Sequence, residues 1–308
     1  MCTAINSIGS YHCFGRTLDV ECAPLTQLAI LDKGYTLKLK NGSEIRTQRR
    51  IMGSAHLSSG YPLFFDGMNE SGLCVAALEF PDCVYTGARE DNSIASFEVI
   101  PFVLGNAEGV NDAKRQLEGI KISSENFSQE LSATKLHWLI GDRTGSFVLE
   151  CDTNGVHLYD NPCGVLSNAP GFGFHLARLS EISALSDRPS ASSFENEMIK
   201  PYSGGFGSLG LPGDYTSSAR FLRAAFVEKY CRTYTGAVNR LFTVLDSVKV
   251  PYGCVLRESG GYSYTVYTCC MDSQRGEYYY LPYESHSARV FSFSDCTAGG
   301  AGLDAFDL

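Results

Sequence analysis

Three strand-length runs, LHWLIG (136–141), SFVLEC (146–151) and VHLY (156–159), follow one another with only short turns between them, Arg143-Thr144-Gly145 and Thr153-Asn154-Gly155. Links this short join neighbouring strands only if the chain reverses, because a parallel pair needs a crossover of about a dozen residues or more. The middle of the chain is thereby committed to an antiparallel sheet. The same signal opens the chain, where residues 3–8 and 11–20 read as a hairpin around Gly9-Ser10, with glycine at the first central turn position. It returns late, in YSYTVYTCCMD (262–272) followed by GEYYYLPY (276–283). Helical spacing intervenes: SSARFLRAAFVEKY (217–230) sets Phe221, Leu222, Ala225 and Tyr230 on one side, and AVNRLFTVLDSV (237–248) does the same with Val238, Leu241, Phe242 and Leu245. A third helical pattern covers 94–105, where Pro101 fits only near a helix start or break. SDRPSASS (186–193) and SGGFGSLGLPG (203–213) read as long loops. Antiparallel strands mixed with helices predict an α+β layered architecture. The 308 residues are enough for one large core, so residues 1–308 are taken as one domain.

Composition excludes several partners. The net charge of -9, with no basic cluster, repels phosphate backbones and anionic lipid, so neither nucleic acid nor a membrane is expected. The first thirty residues lack a basic start followed by an apolar run, and no apolar stretch approaches about eighteen residues, which predicts a cytoplasmic protein. Twelve cysteines contain no CxxC, the only close pair being Cys269-Cys270, and six histidines show neither HExxH nor HxH spacing. No metal and no cofactor are expected. The glycines of 203–213 are followed by no GK[ST] and suit tight turns.

The chemistry points to the first residues. Cys2 directly follows the initiator Met1, and removal of Met1 would leave it with both a thiol and a free α-amine. One residue then supplies nucleophile and base, since an α-amine ordinarily titrates at about 7.7 to 8.0 and can accept the thiol proton. A thiol ionises more readily beside a guanidinium, a role open to Arg16. Asp19 stands on the same predicted strand but with the opposite parity, so period-two geometry alone does not bring both to one site; a bulge or a contact across layers is required. On these residues alone, an incidental Cys2 and a surface Arg16–Asp19 ion pair remain an equal alternative.

Five blocks tip that balance: MCT at the start, FGRTLDVE (14–21), DGMNESGL (66–73), LSNAP (166–170) and GLPGDYTSSARF (210–221). In this order they resemble the choloylglycine hydrolase family, which comprises conjugated bile salt hydrolases and penicillin V acylases. The resemblance runs to about residue 284. It implies an N-terminal nucleophile hydrolase fold, a four-layer αββα sandwich of two antiparallel sheets between helices. It also implies site roles: Cys2 as nucleophile, Arg16 as basic neighbour of its sulfur, Asp19 as the carboxylate holding the α-amine, and Arg220 as second site arginine. Asn168 and the backbone N–H of Glu79 would be the two oxyanion donors. Attack on an amide carbon puts negative charge on the carbonyl oxygen, where loss of one aimed donor costs about 3 kcal/mol.

Glu79 departs from the pattern, since the family usually carries Asn or Tyr within the stretch matching LEFP (78–81). A carboxylate there disfavours an anionic leaving group unless Arg16 or Arg220 neutralises it, and an ion pair to one of these arginines is expected. Leu18, Phe65, Phe127, Leu131 and Leu136 fall where the family's acyl pocket lies, with core packing as the competing explanation of each. His137 and His175 read as structural, hydrogen-bonded residues. The implied substrate is a small amphipathic amide, foremost a glycine- or taurine-conjugated bile acid met by a gut bacterium; SFEVIPFVLG (96–105) and the GLPGD block favour that side of the family. Penicillin V or another N-acyl amide is the alternative, and an inactive binding scaffold conflicts with the intact residue set. The resemblance further implies a homotetramer built through a loop at about 184–213.

Overall fold

The computed structural model describes residues 1–87, 92–189, 202–232, 236–296 and 300–308. Two antiparallel sheets face each other. The first runs, edge to edge, through Val165–Leu166, Cys2–Ile8, His12–Val20, Tyr264–Asp272, Glu277–Pro282 and Arg289–Ser292. The second runs through Gly155–Asp160, Gly145–Asp152, Leu136–Asp142, Cys74–Glu79, Asp66–Asn69, Ile51–Ser58, Gln27–Leu31 and Leu303–Asp307, with Tyr61–Phe64 paired beside Ile51–Ser58. Helices α1 (Val99–Asn106) and α2 (Val110–Leu117) pack on the outer face of the second sheet. Of α3 (Phe172–Glu181), α4 (Ser217–Tyr230) and α5 (Ala237–Asp246), the last two pack directly on the first sheet and α3 lies against α4. The layer order is αββα.

This layering explains why the central strands are buried throughout, polar residues included. A strand covered on both faces has no solvent side, and Cys2–Ser7 and His12–Asp19 are buried without interruption. Phe14, Leu28, Met52, Met68 and Leu139 belong to the core between the sheets, while Val75, Trp138 and Ile140 meet Val99, Val103 and Leu104 of α1 in a second core. Gly15 shows what the close packing demands: a Cβ there would lie 2.2 Å from the Cys269 carbonyl oxygen and 3.1 Å from Leu241 of α5. Any side chain would force the neighbouring strand Tyr264–Asp272 aside and press on Leu241.

Local expectations were met unevenly. Helix α4 has the expected bounds, and the Thr216 hydroxyl caps it by accepting from Ala219 N at 3.3 Å. The 237–248 pattern ends at Asp246. The 94–105 pattern divides: Ser93–Ala95 is a strand paired in parallel with Lys121–Ser123, a 3-10 turn follows, and α1 starts at Val99. Pro101 thus sits in the first turn, where its missing N–H costs nothing. The opening hairpin is closed by three residues rather than two, since Ile8 pairs with His12, and Gly9 has no left-handed φ. Of the long-loop segment 184–213, residues 190–201 lie outside the described residues, and Phe206–Ser208 forms a 3-10 turn.

Candidate active site

Cys2 begins the Cys2–Ile8 strand and is paired with Leu18. Parity then sorts the neighbouring strand: Phe14, Arg16 and Leu18 point between the sheets, whereas Gly15, Thr17 and Asp19 point at the helices. Arg16 is fully buried and crosses to the second sheet, where Nη1 donates to Ala77 O at 2.7 Å and Phe65 O at 3.0 Å. Its Nε donates to Thr17 O at 3.2 Å, and Nη2 is a buried donor with no partner. Asp66 stands 4.0 Å from Nη1, its own carboxylate held by the hydroxyls of Tyr267 and Tyr278 at 2.5 Å each. Burial opposes the charge of Arg16, but the fields of Cys2, Tyr267 and Asp66 outweigh that cost and hold its pKa above the ordinary guanidinium value.

Asp19 is on the opposite face, as its parity requires. Thr265 Oγ1 donates to its Oδ1 at 2.6 Å and Thr17 Oγ1 to its Oδ2 at 3.3 Å. The Thr265 contact depends on a bulge, because Asp19 pairs with Thr265 but Leu18 with Tyr267, leaving Val266 as the extra residue. What ties Asp19 to the site is a helix-layer residue. Arg220 of α4 lies 3.8 Å from Asp19 Oδ2, and it donates to Cys2 O at 2.6 Å, Thr3 Oγ1 at 2.5 Å and Asn168 Oδ1 at 2.9 Å. Burial lowers the Arg220 pKa, opposed by Asp19 and Cys2.

Asn168 is the junction. Its Oδ1 accepts from Cys2 N at 2.5 Å, and its Nδ2 donates one hydrogen to Glu79 O at 2.8 Å, leaving one for another acceptor. Its backbone oxygen is fixed by His175 Nε2 at 2.8 Å and Ser217 Oγ at 2.7 Å. His175 is pushed below the ordinary imidazole pKa by burial, so the ring is neutral at neutral pH and Nε2–H is the donor. The Glu79 N–H is directed by strand alternation. Phe80 N donates to Lys135 O, which makes Glu79 and Leu136 a non-hydrogen-bonded pair, and Leu136 N donates to the Tyr85 hydroxyl instead.

Cys2, Arg16, Asp19 and Glu79 floor a cavity of about 730 Å3 whose walls include Leu18, Phe65, Phe127, Leu131 and Leu136. Trp138, Phe97 and Ile100 line it as well; in the sequence they are indistinguishable from core residues. Phe127 is braced by Tyr61 and Phe97 at centroid distances of 5.4 and 5.3 Å, with the Lys40 ammonium 5.4 Å over its ring. A larger cavity of about 1020 Å3, between α4 and the tip of the first hairpin, contains none of the five clustered residues.

One expectation changes. Glu79 does not pair with Arg16 or Arg220, whose donors are taken up by backbone and Asn168 oxygens or lie buried; its carboxylate stands 3.4 Å from Arg257 Nη2 and 3.6 Å from the Met1 ammonium. The Cys2 nitrogen, here an amide joined to Met1, bonds to Asn168, while the Asp19 carboxylate bonds to Thr265 and Thr17. Met1 itself adds one rung to the ladder, donating to Asp19 O at 2.7 Å and accepting from Asp19 N at 3.0 Å.

Residues 2–298 match the family of linear amide C-N hydrolases, choloylglycine hydrolase family. A bile salt hydrolase/transferase of Lactiplantibacillus plantarum is 36% identical over 300 residues, covering 96% of this chain and 93% of the relative. A conjugated bile acid hydrolase of Lactobacillus gasseri is 32% identical, covering 91% and 92%. The solved structure of a mutant conjugated bile acid hydrolase from Clostridium perfringens superposes with a TM-score of 0.93 at 28% identity, over 100% of this chain and 97% of that one. Penicillin V acylase from Agrobacterium tumefaciens, at 20% identity, 99% and 91% coverage and a TM-score of 0.79, shares the fold.

Proposed function

The chain belongs to the choloylglycine hydrolase family of linear amide C-N hydrolases, and on that premise we propose that it cleaves the amide of glycine- or taurine-conjugated bile acids through a thioester on Cys2. One observation carries the reading: an apolar-walled cavity large enough for a steroid ends on Cys2, Arg16 and Glu79, with Asn168 bonded to the Cys2 nitrogen and Arg220 behind it. Burying such a ligand gains roughly 25 cal/mol per Å2 of apolar surface.

Removal of Met1 turns the Cys2 nitrogen from an amide with one N–H into an amine. It keeps Asn168 Oδ1 as partner and gains hydrogens that the nearby Asp19 can take. The amine accepts the thiol proton and the sulfur attacks the amide carbon. The oxyanion receives the second Nδ2 hydrogen of Asn168 and the N–H of Glu79. Collapse of the intermediate breaks the C–N bond, and the α-ammonium gives its proton to the departing amine. Water then attacks the thioester, its proton passing through the amine to the sulfur. The charge of Arg16 stabilises the anionic sulfur.

The test is a comparison of glycocholate, taurocholate and penicillin V hydrolysis, with mass spectrometry of the N-terminus. We expect loss of Met1 and faster turnover of a bile salt than of penicillin V; penicillin V as the sole substrate, or an inactive chain retaining Met1, would reject the reading. A homotetramer and a cytoplasmic location complete the proposal. Light scattering tests the first, and fractionation the second.

A further inference from the structure

The proposed substrates end in a carboxylate or sulfonate, yet Glu79, which borders the cavity with its side chain 40% exposed, carries the same charge. Something must receive the acidic end. Arg16 and Arg220 are fully buried, and the donors of Arg220 are engaged on Cys2, Thr3 and Asn168. Arg16 also borders the cavity, but it sends Nη1 to Ala77 and Phe65 and is fully buried, its partnerless Nη2 included. Arg257 lines the cavity too, and it differs in exposure: its side chain is 36% exposed.

The place of Arg257 is set by a tight turn. Its N–H donates to Gly261 O and its carbonyl accepts from Gly260 N, each at 2.9 Å, with Gly260 at φ +89°. Its Nη2 is 3.4 Å from Glu79 Oε1 and its Nε 3.4 Å from Glu21 Oε1, while Glu21 Oε2 accepts from Ser259 Oγ at 2.6 Å. Both ion pairs are longer than the 2.7–2.9 Å of a charge-assisted bond. The guanidinium is oriented but not saturated, since two of its five N–H groups face the carboxylates. The geometry of Met1 shows which way the departing group must point. Its ammonium is covalently one residue from the Cys2 nitrogen and stands 3.6 Å from Glu79, and the leaving amine must likewise lie beside that nitrogen to be protonated. Its substituent therefore enters the space that Glu79 and Arg257 border. There the repulsion from Glu79 and the attraction to Arg257 are comparable and opposed, so the arginine decides whether an anion is accepted.

We propose that Arg257 is the specificity-determining residue for the amine portion, receiving its carboxylate or sulfonate while Glu79 and Glu21 hold the guanidinium in place. This rests on the bile-acid amide reading above. The test uses four cholyl amides, of glycine, taurine, ethanolamine and ethylenediamine, which give two anionic, one neutral and one cationic end. The readout is the ratio of kcat/KM for each acidic amide to that for the neutral one, in which any loss common to all amides cancels. Arg257→Gln should lower the ratio about tenfold, mainly through KM, with Arg257→Lys intermediate and Glu79→Gln raising it. A ratio within twofold of the parent in Arg257→Gln, a fall in Glu79→Gln, or a parent that prefers the cationic to the neutral amide would overturn the assignment. Loss of the functional reading looks different: the parent would then cleave none of the four.

Discussion

The floor of the cavity and its rim are built on opposite terms. On the floor, Arg16, Asp19 and Arg220 have no exposure, and Asn168 makes contacts at 2.5–2.9 Å to Cys2, Glu79 and Arg220. At the rim, Glu79 and Arg257 are 40% and 36% exposed and meet at 3.4 Å. Buried polar groups satisfied by fixed partners are preorganised and unforgiving of change, whereas exposed ion pairs contribute about 0–1 kcal/mol and rearrange easily. The fold thus spends rigidity on bond cleavage and leaves selection of the departing group to soft electrostatics. Substitutions on the floor should cost turnover for every substrate, and those at the rim should redistribute it among substrates.

The sharpest break of this contrast is Cys2→Ala. We expect turnover of all amides to fall at least about a thousandfold with the melting temperature little changed, and undiminished hydrolysis would refute a cysteine-centred floor. Asn168→Ala comes next, with an expected loss of about 3 kcal/mol, or on the order of a hundredfold in kcat. Asn168→Asp sharpens the point. It keeps an acceptor for Cys2 N and Arg220 but removes the Nδ2 donor and sets a carboxylate oxygen against Glu79 O, so it should remain slow and lose some stability. Recovery of rate in that variant would show that Asn168 acts only as an anchor.

How far the two regions could be read in the sequence follows the same divide. Cys2, Arg16, Asp19, Asn168 and Arg220 are spread over more than two hundred positions, and no periodicity gathers them; the quoted blocks do. The parity of Arg16 and Asp19 was legible, because side-chain alternation is strict along a strand. The structure resolves it through Arg220, which comes from another layer. Helix α4 was legible for local reasons, a continuous apolar stripe with a threonine cap. Residues 93–95 were not, since their parallel pairing with Lys121–Ser123 depends on contacts the local pattern does not encode. The short helices α2 and α3 lack a long apolar stripe and leave no local signal. The tail strand Leu303–Asp307 is defined only by its partner, Gln27–Leu31. Arg257 carried no signal at all: a half-exposed charge in a glycine-rich turn looks like ordinary surface until its distance to Glu79 is known.

Between floor and rim stands the apolar wall, and Phe127 is its most instructive member. Its ring is held by Tyr61, Phe97 and Lys40 rather than by the main core, so truncation should leave the fold intact. Phe127→Ala should raise KM for bile salts roughly three- to tenfold, the expected cost of losing part of one buried aromatic face, with little change in kcat. An equal fall in kcat would mean that the wall also positions the scissile bond.

The smallest effects belong to the rim, and their response to salt identifies them. Glu79→Asn keeps the backbone N–H and removes only the charge, so we expect the relative rates on glycocholate, taurocholate and penicillin V to shift by about two- to fivefold. Raising ionic strength from about 0.05 M to 0.5 M shortens the screening length severalfold, and the difference between Glu79→Asn and the parent should shrink accordingly. The penalty of Asn168→Ala should not, because its contacts lie where salt does not reach. Unchanged substrate ratios in Glu79→Asn would remove the rim from specificity altogether. A ratio shift insensitive to salt would mean that Glu79 acts by shape, making the rim as rigid as the floor.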